Sequence, residues 1–479
     1  MIVVERFGDL YGLPRAIRFD GEVMRIFQRL GIAEEIREEI CAADRYSWYG
    51  ADGGLILDID ATAQHPSGWR QSYAFFQPAV ERVLDQAVRE RFGAAVRRLC
   101  SCEGIRQHDD HVELQLSSGV LRARYVVGAD GANSLVREAC GIAREDLGFD
   151  ECWLVADVRP HDMARVEHLP VAAQYCDPRR PHVAVRNGAR HRRWEFMLLP
   201  GEQAGDFDDP ARVWKLLAPY MAPEDGTLVR KAVYEFRSLH AQTMRDRRVL
   251  LAGDAAHLMP PFMGEGLCSG LRDANNLAWR LNHILRGVAD DGLLSSYTPE
   301  RRHQNEAMIR TSVEMGRVSC TLDPDAAAAR HAALRSGAVP PPPPVPGIGP
   351  GGVVHDADSP LTGRLAVQGR IEHGGRTGLL DEVLQPRWVV VCAGGDPRRV
   401  LGEHRLRSLA DGLRAAVVSL EEVRDVDGAL SAWLAGAGAA AVISRPDGYV
   451  FGAAAQLADL PPLVDDLRAQ LATHAAVSA

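Results

Sequence analysis

The chain has 479 residues, with 55 basic against 64 acidic side chains and a net charge of −9 at pH 7. That length suits roughly three domains, its 46% hydrophobic and 25% charged residues are the balance of a soluble globular protein, and its acidic sign argues against non-specific nucleic-acid binding. No apolar run reaches membrane-spanning length, and Met1-Ile2-Val3-Val4-Glu5 has neither the basic lead nor the apolar core of a signal peptide.

Cys100 and Cys102 are the only close pair among nine cysteines, and no second Cys/His pair stands at zinc spacing, so no metal site is expected. The odd cysteine count points to a reducing, cytoplasmic setting. Lys215 and Lys231 are the only lysines, a skew from which no function follows.

In chain order, Ile2–Glu5 reads as the end of a buried strand. Asp20–Leu30 follows as a helix with Val23, Met24, Phe27 and Leu30 at helical spacing. Ala79–Phe92 is a second helix. Val112–Leu116 alternates like a strand, and Arg124–Gly128 is a short strand entering the turn Ala129-Asp130-Gly131. The stretch from Cys152 to Phe236 reads as short strands and turns, clearest at Trp194–Leu199, with one helix near Pro210–Tyr220. Val249–Ala252 is a buried strand leading to a long helix from about Gly266 to Arg286.

Pro340–Pro344 through Gly352 is a proline- and glycine-rich linker or wrapping segment. Beyond it a small α/β unit is expected, with strands at Trp388–Cys392, Ala415–Leu420 and Ala440–Ile443, a helix at Leu406–Arg414, and the turn Arg445-Pro446-Asp447-Gly448-Tyr449. No internal repeat is present.

The most specific stretch runs from Arg248 to Trp279. Its strand ends at Gly253, so Asp254 projects from the carboxyl edge of a sheet, where open α/β folds bind ligands. Pro260-Pro261 stiffens the connection, and Gly264 and Gly266 permit close approach of backbone to a flat ligand. The helix that follows aims free N–H groups and a partial positive charge at that ligand.

This stretch resembles the "GD" motif of the FAD-dependent aromatic hydroxylases, the p-hydroxybenzoate hydroxylase-like family. The resemblance implies that Asp254 holds the ribityl chain, that Pro261 lies near the flavin's reactive edge, and that Leu267 and Cys268 offer N–H groups to the isoalloxazine, tuning reduced flavin through the helix dipole. Tyr125 to Arg137 is similar to the family's "DG" motif, from which Asp130 and Arg137 carry over. By the same resemblance Glu5 meets the adenosine ribose, Arg15 in Leu13-Pro14-Arg15-Ala16 meets the pyrophosphate and NAD(P)H region, and Gln77 contacts FAD.

Gln174 to Pro178, Arg193 to Glu202 and Pro261 to Gly264 are similar to the 3-(3-hydroxyphenyl)propionate hydroxylase branch. That branch ends in a thioredoxin-like domain, which here has no Cys-x-x-Cys and so no expected thiol redox role. Two departures stand out. The strand, Gly-x-Gly-x-x-Gly turn and helix that open the family's nucleotide unit are absent before Glu5, and Glu265 replaces a glutamine. A chain lacking that opening is expected to bind FAD poorly and to aggregate.

The resemblance implies an α/β fold with mixed sheets: a Rossmann-like FAD domain in two parts (1–150 and 238–335), a mixed-sheet substrate domain (151–237), a linker (336–352) and a thioredoxin-like domain (353–479). It implies an NAD(P)H- and O2-consuming monooxygenase that hydroxylates a small phenol through a flavin hydroperoxide, with a homodimer as the candidate assembly. An antibiotic or polyketide hydroxylase, and a non-catalytic remnant unable to hold FAD, are the alternatives.

Tyr175, Arg193 and Trp194 are candidate substrate contacts or, equally, ordinary sheet residues. His257 reads as a structural residue of its turn, Cys268 as a backbone contributor rather than a nucleophile, and Glu5 alone as a charge at a strand end. No residue is identified as the catalytic base.

Overall fold

The computed structural model describes residues 1–479 except 93–95, 339–342, 356–358, 386 and 477–479. Its largest element is a sheet of eight strands in the order His257–Leu258, Gly226–Ala241, Arg144–Pro160, His191–Met197, His182–Asn187, Ala172–Tyr175, Arg45–Tyr49 and Leu55–Asp60. Pairing is antiparallel except between Ala172–Tyr175 and Arg45–Tyr49, so the sheet is mixed. It draws strands from residues 45–60 as well as from the middle of the chain.

Two of its strands, Arg144–Pro160 and Gly226–Ala241, are 17 and 16 residues long, where sequence pattern suggested short strands. The pairing slips between Asp146 and Asp150, around Gly148 at φ 82°, and such a bulge reads as a turn in sequence although the strand continues through it.

Near the cofactor motifs the chain forms smaller parallel units. Val126–Gly128 pairs in parallel with Val249–Leu251, and Ala252 N–H donates to Gly128 O, so the turns that follow both strands leave one sheet edge together. Val3–Val4 pairs with Val96–Arg97. It is a strand, as expected, but not a buried one: Ile2 and Val3 are 44% and 39% exposed, since this two-residue strand has a partner on one side only among the described residues.

The expected helices form. Gly21–Arg29 is capped by Asp20, which accepts from Val23 N–H, and Gln77–Phe92, Pro210–Leu217 and Gly266–Leu285 follow. Tyr297–Ser319, a helix of 23 residues, has little sequence signature because charged Glu300 and Arg301 are buried in it.

Pro343 through Gly352 runs without regular structure against this helix, where Gln304 donates to Pro346 O. The neighbouring residues 340–342 lie outside the described part.

The C-terminal sheet has the order Ala416–Ser419, Val389–Cys392, Ala441–Ser444, Val450–Ala454, parallel at the first pair and antiparallel after it, as a thioredoxin-like fold requires. Its helical segment begins earlier than the expected Leu406–Arg414, at Pro397, breaks at Gly402 (φ 69°), and runs through Arg407 into a wider turn over Ser408–Gly412. Asp396 caps it and Pro397 opens it. Burial pushes the Cys392 thiol up to about 12, which leaves it inert.

Buried ion pairs weld this unit to the rest. Arg445 makes a bidentate pair with Glu300 at 2.8 and 2.9 Å, and Trp279 Nε1 donates to Asp447 at 3.0 Å. Arg25 and Arg29 share Asp381. Among the described residues no helix is long and apolar enough to cross a membrane.

Candidate active site

Asp254 stands in the turn after Val249–Leu251, where Gly253 takes a left-handed φ of 61°. That turn is fixed from behind by Asp273, a fully buried carboxylate that sequence reasoning passed over. Asp273 accepts from Gly253 N–H at 2.9 Å, meets His257 Nε2 at 2.7 Å and accepts from Arg301 Nε at 2.7 Å. Those partners hold its pKa well below the carboxylate range although burial opposes them. His257 is therefore the structural residue its context suggested. Asp273 could have been found as the one acid on the buried side of the Gly266–Leu285 helix.

Asp254 itself accepts no hydrogen bond from any described residue. It is open to solvent on one side, yet the protein around it raises its pKa against the pull of His257 and Arg15. A carboxylate so placed fits a ligand hydroxyl.

The Gly266–Leu285 helix begins nearby, after the left-handed Gly264 at φ 64°. Ser269 N–H is the first to find a carbonyl, that of Glu265, so the N–H groups of Gly266, Leu267 and Cys268 have no acceptor among the described residues. A Cβ on Gly266 would approach nothing nearer than Met259 Cγ at 3.8 Å, which leaves that approach open. Three free donors at the positive end of a 20-residue helix suit the electron-rich edge of a flavin. Cys268 has a buried thiol whose pKa is pushed well above normal by burial, so it is no nucleophile.

Glu265 is buried between Arg18, at 2.5 Å, and Arg272, at 2.9 Å. Arg18 also donates to Met263 O at 2.8 Å, tying the segment of Pro261 and Gly264 to the Arg18–Asp20 strand. Arg272 continues to Asp20 and Glu22, and Tyr449 of the C-terminal unit donates to Glu22 at 2.9 Å. The negative charge at Glu265 is thus compensated by two guanidinium groups.

The Pro14-Arg15-Ala16 loop is gripped through its backbone. Gln77 Oε1 accepts from Arg15 N–H at 3.1 Å and Ala16 N–H at 2.7 Å. Arg193 donates to Arg15 O at 2.5 Å and Pro14 O at 2.9 Å. Both side chains hold the loop, and the Arg15 guanidinium extends to Glu81 at 2.8 Å. Arg193 is anchored in turn by Asp157 at 2.7 Å, so its donors are taken up in clamping this loop.

Tyr175 and Trp194 stand elsewhere on the sheet. They lie on the sheet face opposite Arg193, packed with Phe196, Phe207 and Leu217 under the Pro210–Leu217 helix. Strand alternation puts neighbours on opposite faces, and this separates Trp194 from Arg193.

The remaining motif residues are local. Asp130 Oδ2 accepts from Val136 N–H at 3.0 Å and Oδ1 from the Ser134 hydroxyl at 2.5 Å, closing the turn before Leu135–Ala139. Arg137 reaches Ala132 O and Ala255 O, joining the Asp130 and Asp254 turns. Glu5 accepts from Phe7 N–H at 2.9 Å. The face of the large sheet that carries Arg193 also presents Glu195 and Tyr46, and it packs on Met259, Phe262 and Met263.

Residues 1–312 match a family model described as "FAD binding domain" and residues 363–470 one described as "HcaD C-terminal domain". A probable NADH-specific resorcinol 4-hydroxylase of Rhodococcus jostii is 36% identical over 98% of this chain and 91% of its own. A 3-(3-hydroxy-phenyl)propionate/3-hydroxycinnamic acid hydroxylase of Burkholderia vietnamiensis is 32% identical over 94% and 88%. In fold, aklavinone-11 hydroxylase solved with FAD and aklavinone superposes with a TM-score of 0.78 at 23% identity, covering 97% and 94% of the two chains. The chain belongs to the FAD-dependent aromatic hydroxylase family. It is a flavin monooxygenase with FAD as cofactor and NAD(P)H as co-substrate.

Proposed function

We propose that this enzyme hydroxylates a phenol carrying a second substituent meta to its hydroxyl, at a ring carbon ortho to that hydroxyl. The two relatives support this substrate class, since resorcinol and 3-(3-hydroxyphenyl)propionate share that pattern. FAD, when bound and reduced by NAD(P)H, supplies the oxygen-activating chemistry.

The protein's part is positioning. Asp254 accepts from the ribityl hydroxyls, and the free N–H groups of Gly266, Leu267 and Cys268 meet the flavin's pyrimidine edge. The Arg18-to-Met263 bond fixes the segment of Pro261 beside them. Glu195 and Tyr46, on the sheet face turned toward this segment, orient the phenol, and the apolar packing of Trp153, Phe262 and Met263 excludes water. Asp130 and Arg15 lie toward the pyrophosphate, with Gln77 and Arg193 setting the Arg15 loop. Glu5 lies toward the ribose.

Residues 1–150 and 238–335 serve mainly the flavin and 151–237 mainly the substrate, with the Arg45–Tyr49 strand and the Phe262–Met263 segment joining the substrate side; 336–352 is the connection and 353–479 the C-terminal thioredoxin-like unit. Nine unpaired cysteines support a cytoplasmic setting.

The observation that carries the reading is the unpartnered Asp254 carboxylate beside three unpartnered helix N–H groups. Flavin-loaded protein should oxidise NAD(P)H in a phenol-dependent way and release a hydroxylated product, with resorcinol and 3-(3-hydroxyphenyl)propionate as first compounds. No product from any phenol in a broad panel refutes it. Asp254→Ala should weaken FAD binding by about 1.5–3 kcal/mol, a lost hydrogen bond to a charged group. Equal affinity of parent and variant in apoprotein titration removes Asp254 from the site.

A further inference from the structure

On the sheet face that carries Arg193, Glu195 and Tyr46 stand on strands three places apart, about 14 Å between backbones at ~4.8 Å per strand. The two strands between them present small side chains on this face, Ala172, Val183 and Val185, and beside Tyr46 they present Gln174.

Both Tyr46 and Glu195 offer acceptors. Gln174 Nε2 donates to His182 O at 3.1 Å and to Ser319 Oγ at 2.5 Å, which turns its Oε1 toward the Tyr46 hydroxyl at 3.4 Å. The Tyr46 proton is committed there, and its oxygen keeps a lone pair for a ligand. Glu195 is buried, and its ion pair among the described residues is to Arg193 Nη1 at 3.5 Å, so most of its acceptor capacity is open.

The guanidinium groups that act on these two side chains are those of Arg193, Arg230 and Arg18. All five N–H groups of Arg193 are engaged, two by Asp157 and the others by Pro14 O, Arg15 O and Glu195. Arg230 donates to Pro14 O and lies over the Tyr234 ring at 5.0 Å, on the far side of Asp157 from Glu195. Arg18 is paired with Glu265 and also donates to Met263 O and Ser72 Oγ.

We infer that the enzyme selects phenols whose second substituent is uncharged, and that Glu195 is the residue that turns away a carboxylate-bearing side chain. The inference rests on the reading that places the phenol on this face. A meta hydroxyl donates to the open acceptor. A carboxylate has no proton to give, meets Glu195 as a like charge, and finds Arg193 with no donor to spare. A site of buried acceptors discriminates against an analogue that cannot supply the donor, because those acceptors are then left unpaired. This ranks resorcinol above 3-(3-hydroxyphenyl)propionate.

Perturbation of the flavin absorbance of FAD-loaded protein reads binding directly for resorcinol, for 3-(3-hydroxyphenyl)propionate and for the uncharged amide of that acid. At about pH 8 the acid is ionised and differs from its amide in charge but hardly in shape. The amide should bind about 30-fold more tightly than the acid, and kcat/KM for hydroxylation should follow the same order. Glu195→Gln removes the repelling charge and should narrow the amide-to-acid ratio about tenfold. Flavin content and melting temperature monitor the fold of the variant, and the comparison of acid with amide in the parent needs no variant. An acid that binds as tightly as its amide, or a ratio unchanged in folded Glu195→Gln protein, overturns this inference, while hydroxylation of either compound leaves the proposed activity standing. No binding of any of the three removes the phenol from this face and overturns the inference together with that reading.

Discussion

The two faces of the eight-stranded sheet are built on opposite principles. The far face buries Trp194, Phe196 and Leu154 under the Pro210–Leu217 helix, with Tyr175 stacked on His182 at 4.5 Å. The near face mixes apolar Trp153 and Met197 with Asp157, Arg193 and Glu195, all buried. An isolated buried charge is costly, so Asp157 and Arg193 persist there only because each completes the other and Arg193's remaining donors meet backbone carbonyls. One face stabilises the domain; the other uses stability to hold the loop of Arg15 and to present polar groups toward the Asp254 side.

Substitutions on the two faces should therefore separate stability from cofactor binding. Trp194→Ala should cost the most, about 4 kcal/mol of unfolding free energy, from an aromatic lost in a packed core. FAD affinity of the folded fraction should stay at the parent's value. Denaturant unfolding and flavin titration check both, and a large loss of affinity would place Trp194 near the ligand after all. Asp157→Asn should cost about 3 kcal/mol by leaving Arg193 without its main partner, and should also weaken FAD, because the Pro14-Arg15-Ala16 loop loses its clamp. A variant destabilised with unchanged FAD affinity would detach the clamp from the site.

Much of this was legible in the sequence, and the failures have physical causes. The turn of Asp254 and the helix after it were readable because strand end, prolines, glycines and helical periodicity coincide there. For Tyr175 and Trp194 the sequence left substrate contact and sheet residue open, because a motif gives offsets along the chain, whereas the face a side chain takes depends on strand register. Arg18 and Arg272 escaped because their partners are distant in sequence: Arg272 reaches Asp20 and Glu22 some 250 residues away. The Tyr297–Ser319 helix escaped because its buried charges hide its periodicity.

Glu195→Gln sharpens the comparison from the near side. Losing a charged hydrogen-bond acceptor for the phenol should lower kcat/KM by about 2 kcal/mol in transition-state terms. Burial raises the Glu195 pKa above its ordinary 4.5, with Arg193 opposing. A raised carboxyl costs stability as pH climbs from that ordinary value through its folded value. Glutamine removes this cost, so the stability of the variant relative to the parent should improve with rising pH across that window. A gap independent of pH would show that Glu195 titrates as it does in the unfolded chain.

The smallest effect is expected at Glu265, where the site meets the neighbouring network. Its carboxylate lies 2.5 Å from Arg18 and 2.9 Å from Arg272, so it acts as one member of a compensated cluster. Glu265→Gln removes one negative charge from that cluster. Arg272 keeps Asp20 and Glu22 as partners and Arg18 keeps Met263 O, so the fold should survive. The local potential becomes more positive whether or not the arginines move, and a positive potential favours the added negative charge of reduced flavin. The two-electron potential should rise on the order of 30 mV, equivalent to about 1.4 kcal/mol. Spectroelectrochemical titration of the flavin in parent and variant reads this directly. A potential that is unchanged or lower would mean that Arg18 and Arg272 screen the position completely, and that the near face alone sets the flavin's environment.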